Sequence, residues 1–240
     1  MKRPTAFRES TAEQDYLKQI YLLQENVGRA TTQMLADRLG VKPPSVTAMI
    51  KRLAEDENGP LVEHTPYRGV ELTDRGMAVA LEMLRHHRLI ELFLSELLGV
   101  PWDRVHEEAE RLEHVLSEDL EDRIAAKLGN PTIDPHGDPI PSREGVMPPQ
   151  ELARLTALPF GSGGTIGRIE QQEQAVLQYL ESLGLVLNAS VTLEEIAPFG
   201  GVVSVRVDGP EGKRRQAIGL ELANRIMVHT SPADLDVENA

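Results

Sequence analysis

Apolar residues along the first quarter of the chain recur at helical intervals. In "ESTAEQDYLKQIYLLQEN" the residues Tyr16, Leu17, Ile20, Tyr21 and Leu23 fall on one side of a 3.6-residue period. Ser10 with Glu13, or Thr11 with Gln14, offers a capping box, and Asp15 lies in the first turn, where a carboxylate suits the helix dipole. A short helix is predicted from Thr32 to Gly40. A second opens at Pro43 and Pro44, residues favoured at a helix start, and carries Val46, Met49, Ile50 and Leu53 at helical spacing. Ala36, Gly40 and Val46 supply the small contact, the turn and the packed apolar residue of a helix-turn-helix. The alternation in "PLVEHTPYRGVELT" then predicts a hairpin turning at Pro66-Tyr67-Arg68-Gly69. Helix-turn-helix followed by such a hairpin is a winged helix.

Beyond the wing, Thr73 caps a long helix whose Leu81, Leu84, Ile90, Phe93, Leu94 and Leu97 exceed what one short neighbour buries. Gly99 ends it. A carboxylate-rich helix follows from about Asp103 to Leu116, and another from about Glu118 to Leu128. Apolar helices beside a small DNA-binding head point to a dimer interface. Pro and Gly crowd residues 129–160, which read as a linker. Short alternating strands dominate the remainder, interrupted by a helix near Glu173–Leu183, as in a small SH3-type barrel. The expected fold is therefore multidomain and mainly α with a small β domain. A winged helix-turn-helix spans 1–73, a helical domain 74–145, and an SH3-like domain 146–240.

Charge sharpens this division. The net charge is −13, which argues against nucleic acid until its distribution is followed. Residues 1–76 carry 11 basic and 11 acidic side chains, while residues 77–240 carry 14 and 27. A neutral head on an acidic body is compatible with a DNA-binding protein. There is no cysteine, so neither a disulfide framework nor a thiolate metal ligand is available. The segment "MKRPTAFREST" lacks the apolar run of a signal peptide, and no stretch is apolar over the roughly 18 residues a membrane span needs. A cytoplasmic protein without membrane contact is expected.

The acidic helix carries the chemistry. Residues 101–123 hold nine Asp or Glu against three Arg. On a continuous helix His106, Glu110, Glu113 and His114 would project at about 0°, 40°, −20° and 80°, one face offering two imidazoles and two carboxylates. His87 and Glu91 form an i, i+4 pair on the preceding helix, and Asp15 adds a carboxylate from the first. Oxygen ligands mixed with imidazole suit Mn²⁺ or Fe²⁺. Two carboxylates 4–5 Å apart repel by roughly 3–4 kcal/mol at an effective dielectric near 20, a sign that a divalent ion reverses. The competing reading is a solvated acidic face, to which Glu107, Glu118, Glu121 and Asp122 are assigned; Leu112, Val115 and Leu116 mark the side expected to be buried.

The ordered motifs "YLKQIY", "PPSVTAMIKRL", "YRGVELTDRG", "HHRLIE", "VHEEAERLEHVLSE" and "DPHGDPIP" resemble the diphtheria-toxin repressor family of metal-activated transcriptional repressors. The likeness is densest over residues 10–145. It implies a homodimer that binds palindromic double-stranded operator DNA when its metal is bound, controlling metal homeostasis, with no organic cofactor and no enzymatic activity. It also implies a primary metal site at Asp15, Glu110, Glu113 and His114. Iron-responsive members carry methionine and cysteine where Asp15 and Glu110 stand, whereas manganese regulators carry Asp and Glu, so Mn²⁺ is the expected ion with Fe²⁺ an alternative. Lys18 departs from the two-ion manganese regulators, which have Glu there. An ancillary site is implied at His87, Glu91 and His106, with Glu173 the best acid from the SH3-like domain; Val176 stands where the family has glutamine.

On the second helix of the helix-turn-helix, Pro44, Ser45, Thr47, Ala48 and Lys51 are the residues expected to face DNA. Ser45, Thr47 and Lys51 suit phosphates, Pro44 and Ala48 suit thymine methyls, and Arg68 at the wing suits the backbone. So few base-reading groups leave room for shape readout. "GSGGTIG" lacks the Lys-Ser/Thr of a phosphate loop. His136 reads as a loop residue, and "GKRR" as a solvated hairpin tip. Two rival readings remain open at this point: a winged-helix repressor sensing a small organic ligand, and a metallohydrolase using the carboxylates.

Overall fold

In a computed structural model the structure describes residues 9–65, 68–199, 201–209 and 212–230, leaving Pro66 and Tyr67 of the expected wing turn outside the described residues. The chain forms two compact units. Of the described residues, the first comprises those up to Ile90 with Ala109–Thr132 and Ile140–Met147; the second comprises Glu91–Glu108, Ile133–Pro139 and those from Pro148 onward.

The first unit opens with α1 (Thr11–Val27), α2 (Thr32–Leu39) and α3 (Pro43–Ala54), followed by β1 (Val62–Thr65) paired antiparallel with β2 (Gly69–Leu72). Leu17, Ile20, Leu35, Val46, Ile50, Leu53, Leu61 and Val70 form one core, the apolar stripe that the periodicity predicts. Ser10 donates from its backbone N and its Oγ to Glu13 Oε2 at 2.8 and 2.7 Å, so of the two possible capping boxes the Ser10–Glu13 one forms. Gly40 ends α2 at φ 65°, the left-handed conformation that a tight turn between the helices requires. Thr73 Oγ1 accepts from the backbone N of Gly76 at 3.1 Å and so caps α4 (Asp74–Leu98).

The acidic segment differs from expectation. It is not one α-helix: α5 spans Val105–Leu112, and Glu113–Val115 tighten into a 3₁₀ turn before Ser117 caps α6 (Glu118–Lys127). Burial departs from expectation at several positions. Leu112 and Val115 are 43% and 78% exposed, while Glu113 and Glu121 are fully buried. Glu121, assigned to solvent from sequence, pairs with Arg85 Nε and lies 3.2 Å from His86 Nε2. Burial alone would raise its pKa, but His86 and Arg85 outweigh burial and hold it at about 2. Burial would likewise pull His86 down, yet Glu121 and Glu82 hold it at about 9. Because the Glu121 pKa is depressed on folding, its contribution is complete above about 4.5, the ordinary value, and is lost as pH falls through about 2. Glu121→Gln should cost about 3 kcal/mol at neutral pH, as for a broken buried ion pair. Urea melts should show wild type and variant converging as pH falls toward 2; a gap independent of pH would refute the ionic role.

The second unit is built on an antiparallel sheet of order β3-β8-β4-β5-β6-β7. Its strands are β3 (Ala153–Arg154), β4 (Gly163–Ile169), β5 (Ser190–Ile196), β6 (Val202–Gly209), β7 (Gly212–Gly219) and β8 (Ile226–Thr230), with α7 (Gln174–Ser182) and α8 (Leu220–Ala223) between them. Leu155, Ile166, Leu177, Leu193, Val205 and Val228 centre its core. "GKRR" is not a hairpin tip but the exposed start of β7, where Lys213 and Arg215 pair with Asp208, Glu194 and Glu195. Within the segment read as linker, Asp134 and residues His136 to Pro141 are buried. The backbone N of Ile169 donates to His136 O at 2.9 Å, tying this turn to β4 at the register shift between Ile166 and Arg168.

Candidate metal centre

Within the first unit, Glu113 gathers the charged groups. Its Oε1 lies 2.5 Å from Lys18 Nζ and 3.5 Å from His114 Nε2, and its Oε2 lies 2.5 Å from His87 Nδ1. Lys18 Nζ also donates to Glu110 Oε1 at 2.9 Å, and His114 Nε2 is 3.0 Å from Asp15 Oδ1. Asp15, Glu113 and His114 thus converge, although almost 100 residues separate the first from the others, and Glu110 joins them through Lys18. Burial alone would lower the Lys18 pKa; Glu113 and Glu110 outweigh it and hold the ammonium above its ordinary value.

Gln14, considered from sequence only as a capping-box partner of Thr11, orients this cluster. Its Nε2 donates to Glu9 O at 3.1 Å, which leaves Oε1 to accept from His114 Nδ1 at 2.7 Å. With Nδ1 protonated toward Gln14, Nε2 is the nitrogen that faces Asp15 and Glu113. A ligating histidine is commonly fixed in this way through its other nitrogen.

Of the residues implied for an ancillary site, His87 belongs to the first unit and Glu91, His106 and Glu173 to the second. His87 turns to Glu113 in the first unit. In the second unit the fully buried Glu91 lies 3.1 Å from His106 Nδ1 through Oε1 and 3.9 Å from His136 Nδ1 through Oε2. Asp134 completes this group with Glu91 and His136. Glu173 is not brought there: it is the exposed residue preceding α7, and among the described residues it joins no cluster of potential ligands. His136, set aside as a loop residue, is the one that stands with Glu91 and Asp134. The "DPHGDP" turn is folded by Asp134 Oδ1, which accepts from the backbone N of His136 and Asp138 at 2.7 and 2.9 Å. His136 Nε2 lies 2.9 Å from Trp102 O, an acceptor, so Nε2 carries the proton and Nδ1 keeps its lone pair. That Nδ1 is buried and makes no hydrogen bond. A buried lone pair between two carboxylates suits a cation, as does the all-oxygen-and-imidazole donor set of both clusters.

The residues expected to face DNA are solvent-exposed, as the helical period predicts. Pro44, Ser45, Thr47, Ala48 and Lys51 are exposed on α3, and Arg68 is exposed beside β2. Thr47 Oγ1 donates back to Pro43 O at 3.2 Å, and Lys51 lies 4.0 Å from Glu55.

Comparison with known proteins agrees with this organisation. Residues 10–70 match the iron dependent repressor N-terminal DNA binding domain, 73–142 the iron dependent repressor metal binding and dimerisation domain, and 153–230 the FeoA domain. The iron-dependent repressor IdeR of Mycobacterium tuberculosis H37Rv is 38% identical over 202 residues, covering 79% of this chain and 86% of the relative. The chain belongs to the iron-dependent, or diphtheria toxin, repressor family. Its members are metal-dependent transcriptional repressors rather than enzymes, which removes the hydrolase reading. The diphtheria toxin repressor of Corynebacterium efficiens is 31% identical over 74% of this repressor chain and 80% of its own. Among solved structures, a manganese-dependent transcriptional repressor in complex with manganese is 41% identical, with a TM-score of 0.84 over 91% of this chain and 100% of the other. T. acidophilum IdeR is 33% identical, with a TM-score of 0.74 over 94% and 100%. No helix among the described residues is long and apolar enough to cross a membrane.

Proposed function

We propose that this repressor is activated by Mn²⁺, with Fe²⁺ as the alternative ion, and binds a palindromic operator as a homodimer in the cytoplasm to control metal-ion homeostasis. The observation that carries the reading is the approach of Asp15, on the helix that opens the DNA-binding domain, to His114 and Glu113. Asp15, Glu110, Glu113 and His114 would hold one ion; Glu91, His106, Asp134 and His136 would hold another. A bound ion would supply a fixed double positive charge among carboxylates that carry no thiolate partner, a set suited to hard cations. Asp15 would thereby fasten α1 to the 3₁₀ turn, and Gln14 would keep His114 facing it. The α3 residues Pro44, Ser45, Thr47, Ala48 and Lys51 would enter the major groove, and Arg68 would meet the backbone. The exposed aliphatic side chains Leu112, Val115 and Leu120 offer apolar surface for the dimer. The three-part division at residues 1–73, 74–145 and 146–240 belongs to this reading. Two recognition helices about one DNA turn apart read successive half-sites.

The test is a titration. A duplex selected from a random pool at saturating Mn²⁺ is labelled, and anisotropy is followed in EDTA and in Mn²⁺. Affinity should rise by about 5–150-fold with the ion, the range of a 1–3 kcal/mol coupling. Equal affinity in both buffers refutes the reading.

A further inference from the structure

We infer that Lys18 is a resident counter-ion of the Asp15–Glu113–His114 cluster: its ammonium assembles the carboxylates before any metal arrives, and a divalent cation has to displace it. The inference rests on the metal reading proposed above and deepens it.

Lys18 follows Asp15 by three residues on α1, so both leave the same side of that helix. The side chain is 3% exposed, an uncommon place for lysine, whose four-carbon stem ordinarily lets the ammonium reach water. Such burial is tolerated when the charge is paired and its donors are used. Here Nζ meets Glu113 Oε1 at 2.5 Å and Glu110 Oε1 at 2.9 Å. Glu113 has no access to solvent, and its second oxygen is taken by His87. The ion-free cluster is therefore not a set of repelling carboxylates with a loosened first helix, as its acidity alone suggests. It is a closed ion pair that joins α1 to the 3₁₀ turn. A metal cation entering this space meets a positive charge already seated on the oxygens it needs. Binding becomes an exchange, and Lys18 raises the free-ion concentration at which the exchange occurs.

Two neutral replacements, Lys18→Gln and Lys18→Met, and the charge-retaining Lys18→Arg, are compared as full-length protein. The Mn²⁺ dissociation constant, measured by competition with a fluorescent chelator, should fall by about tenfold or more in the neutral variants and stay near wild type in Lys18→Arg. Melting temperature in EDTA should fall in the neutral variants while that in saturating Mn²⁺ holds; a neutral variant that folds only with Mn²⁺ equally supports the inference. The unaltered protein gives an independent measurement. In EDTA, reductive methylation followed by mass spectrometry should label Lys18 slowly, and with Mn²⁺ it should label at the rate of a surface lysine. Unchanged or weaker Mn²⁺ affinity in the neutral variants, or Lys18 equally protected in both buffers while Mn²⁺ is bound, overturns the inference and leaves the metal reading intact. No Mn²⁺ binding by the unaltered protein overturns both.

Discussion

On the proposed reading, Glu113→Gln should abolish the Mn²⁺-stimulated part of DNA binding. The substitution keeps the volume and removes the charge of a carboxylate that touches Lys18, His87 and His114 within 3.5 Å. Changing a partner outside the ligand set typically costs 10–100-fold in metal affinity, so loss of a buried ligand should exceed about 100-fold. A second effect accompanies the first. Among the described residues the Lys18 ammonium then keeps the half-exposed Glu110 as its anion, and leaving a buried charge underpaired costs about 3–5 kcal/mol. The variant should thus melt earlier in EDTA and respond weakly to Mn²⁺. Anisotropy with the selected duplex, at temperatures where circular dichroism shows the variant folded, separates the two effects. A Mn²⁺ response like that of wild type would remove Glu113 from the centre.

The second large effect is expected at Gly137→Ala. Gly137 lies in the turn bearing Asp134 and His136 and adopts φ +85°, where L side chains are strained. A Cβ there would also land on the carbonyl oxygen of Gly167, backbone that has nowhere to move without disturbing β4. Left-handed strain and overpacking together should cost about 3 kcal/mol or more. Because the turn is what brings His136 Nδ1 toward Glu91, calorimetric titration should lose the Mn²⁺ equivalent proposed for Glu91, His106, Asp134 and His136. The equivalent held near Asp15 should persist. Retention of both by a folded variant would show that this turn places no ligand.

The helices of both units were legible because periodicity reports any element with one buried face; α1, α3 and α4 follow it closely. The acidic segment escaped for a definable reason. Helical projection assumes a constant 100° per residue, and the 3₁₀ turn at Glu113–Val115 breaks that register, so Val115 is exposed while Glu110, Glu113 and His114 still gather around Lys18 and Asp15. Charge was equally misleading for Glu121, since a buried carboxylate looks in sequence like a solvated one until Arg85 and His86 are seen beside it. His136 sits in a turn, where no period exists to assign a direction; its only sequence signal was the pair of aspartates flanking it in a Gly-containing loop. Glu173 differs in kind: it stands beside α7 as expected and, among the described residues, outside the clusters of potential ligands. Lys18 was visible as a departure from a family pattern, and its ammonium proves to occupy the carboxylates themselves.

Glu13 serves two masters. One carboxylate oxygen closes the cap on α1, and the other lies 2.8 Å from Arg52 Nε on the recognition helix. Arg52 is well exposed, so this link is worth about 1 kcal/mol or less, enough to bias and too little to lock. Asp15 is two residues away. On the proposed reading, the first turn of α1 thus holds both a candidate metal ligand and a contact to α3, so a substitution there would bear on ion binding and on the placement of α3 together.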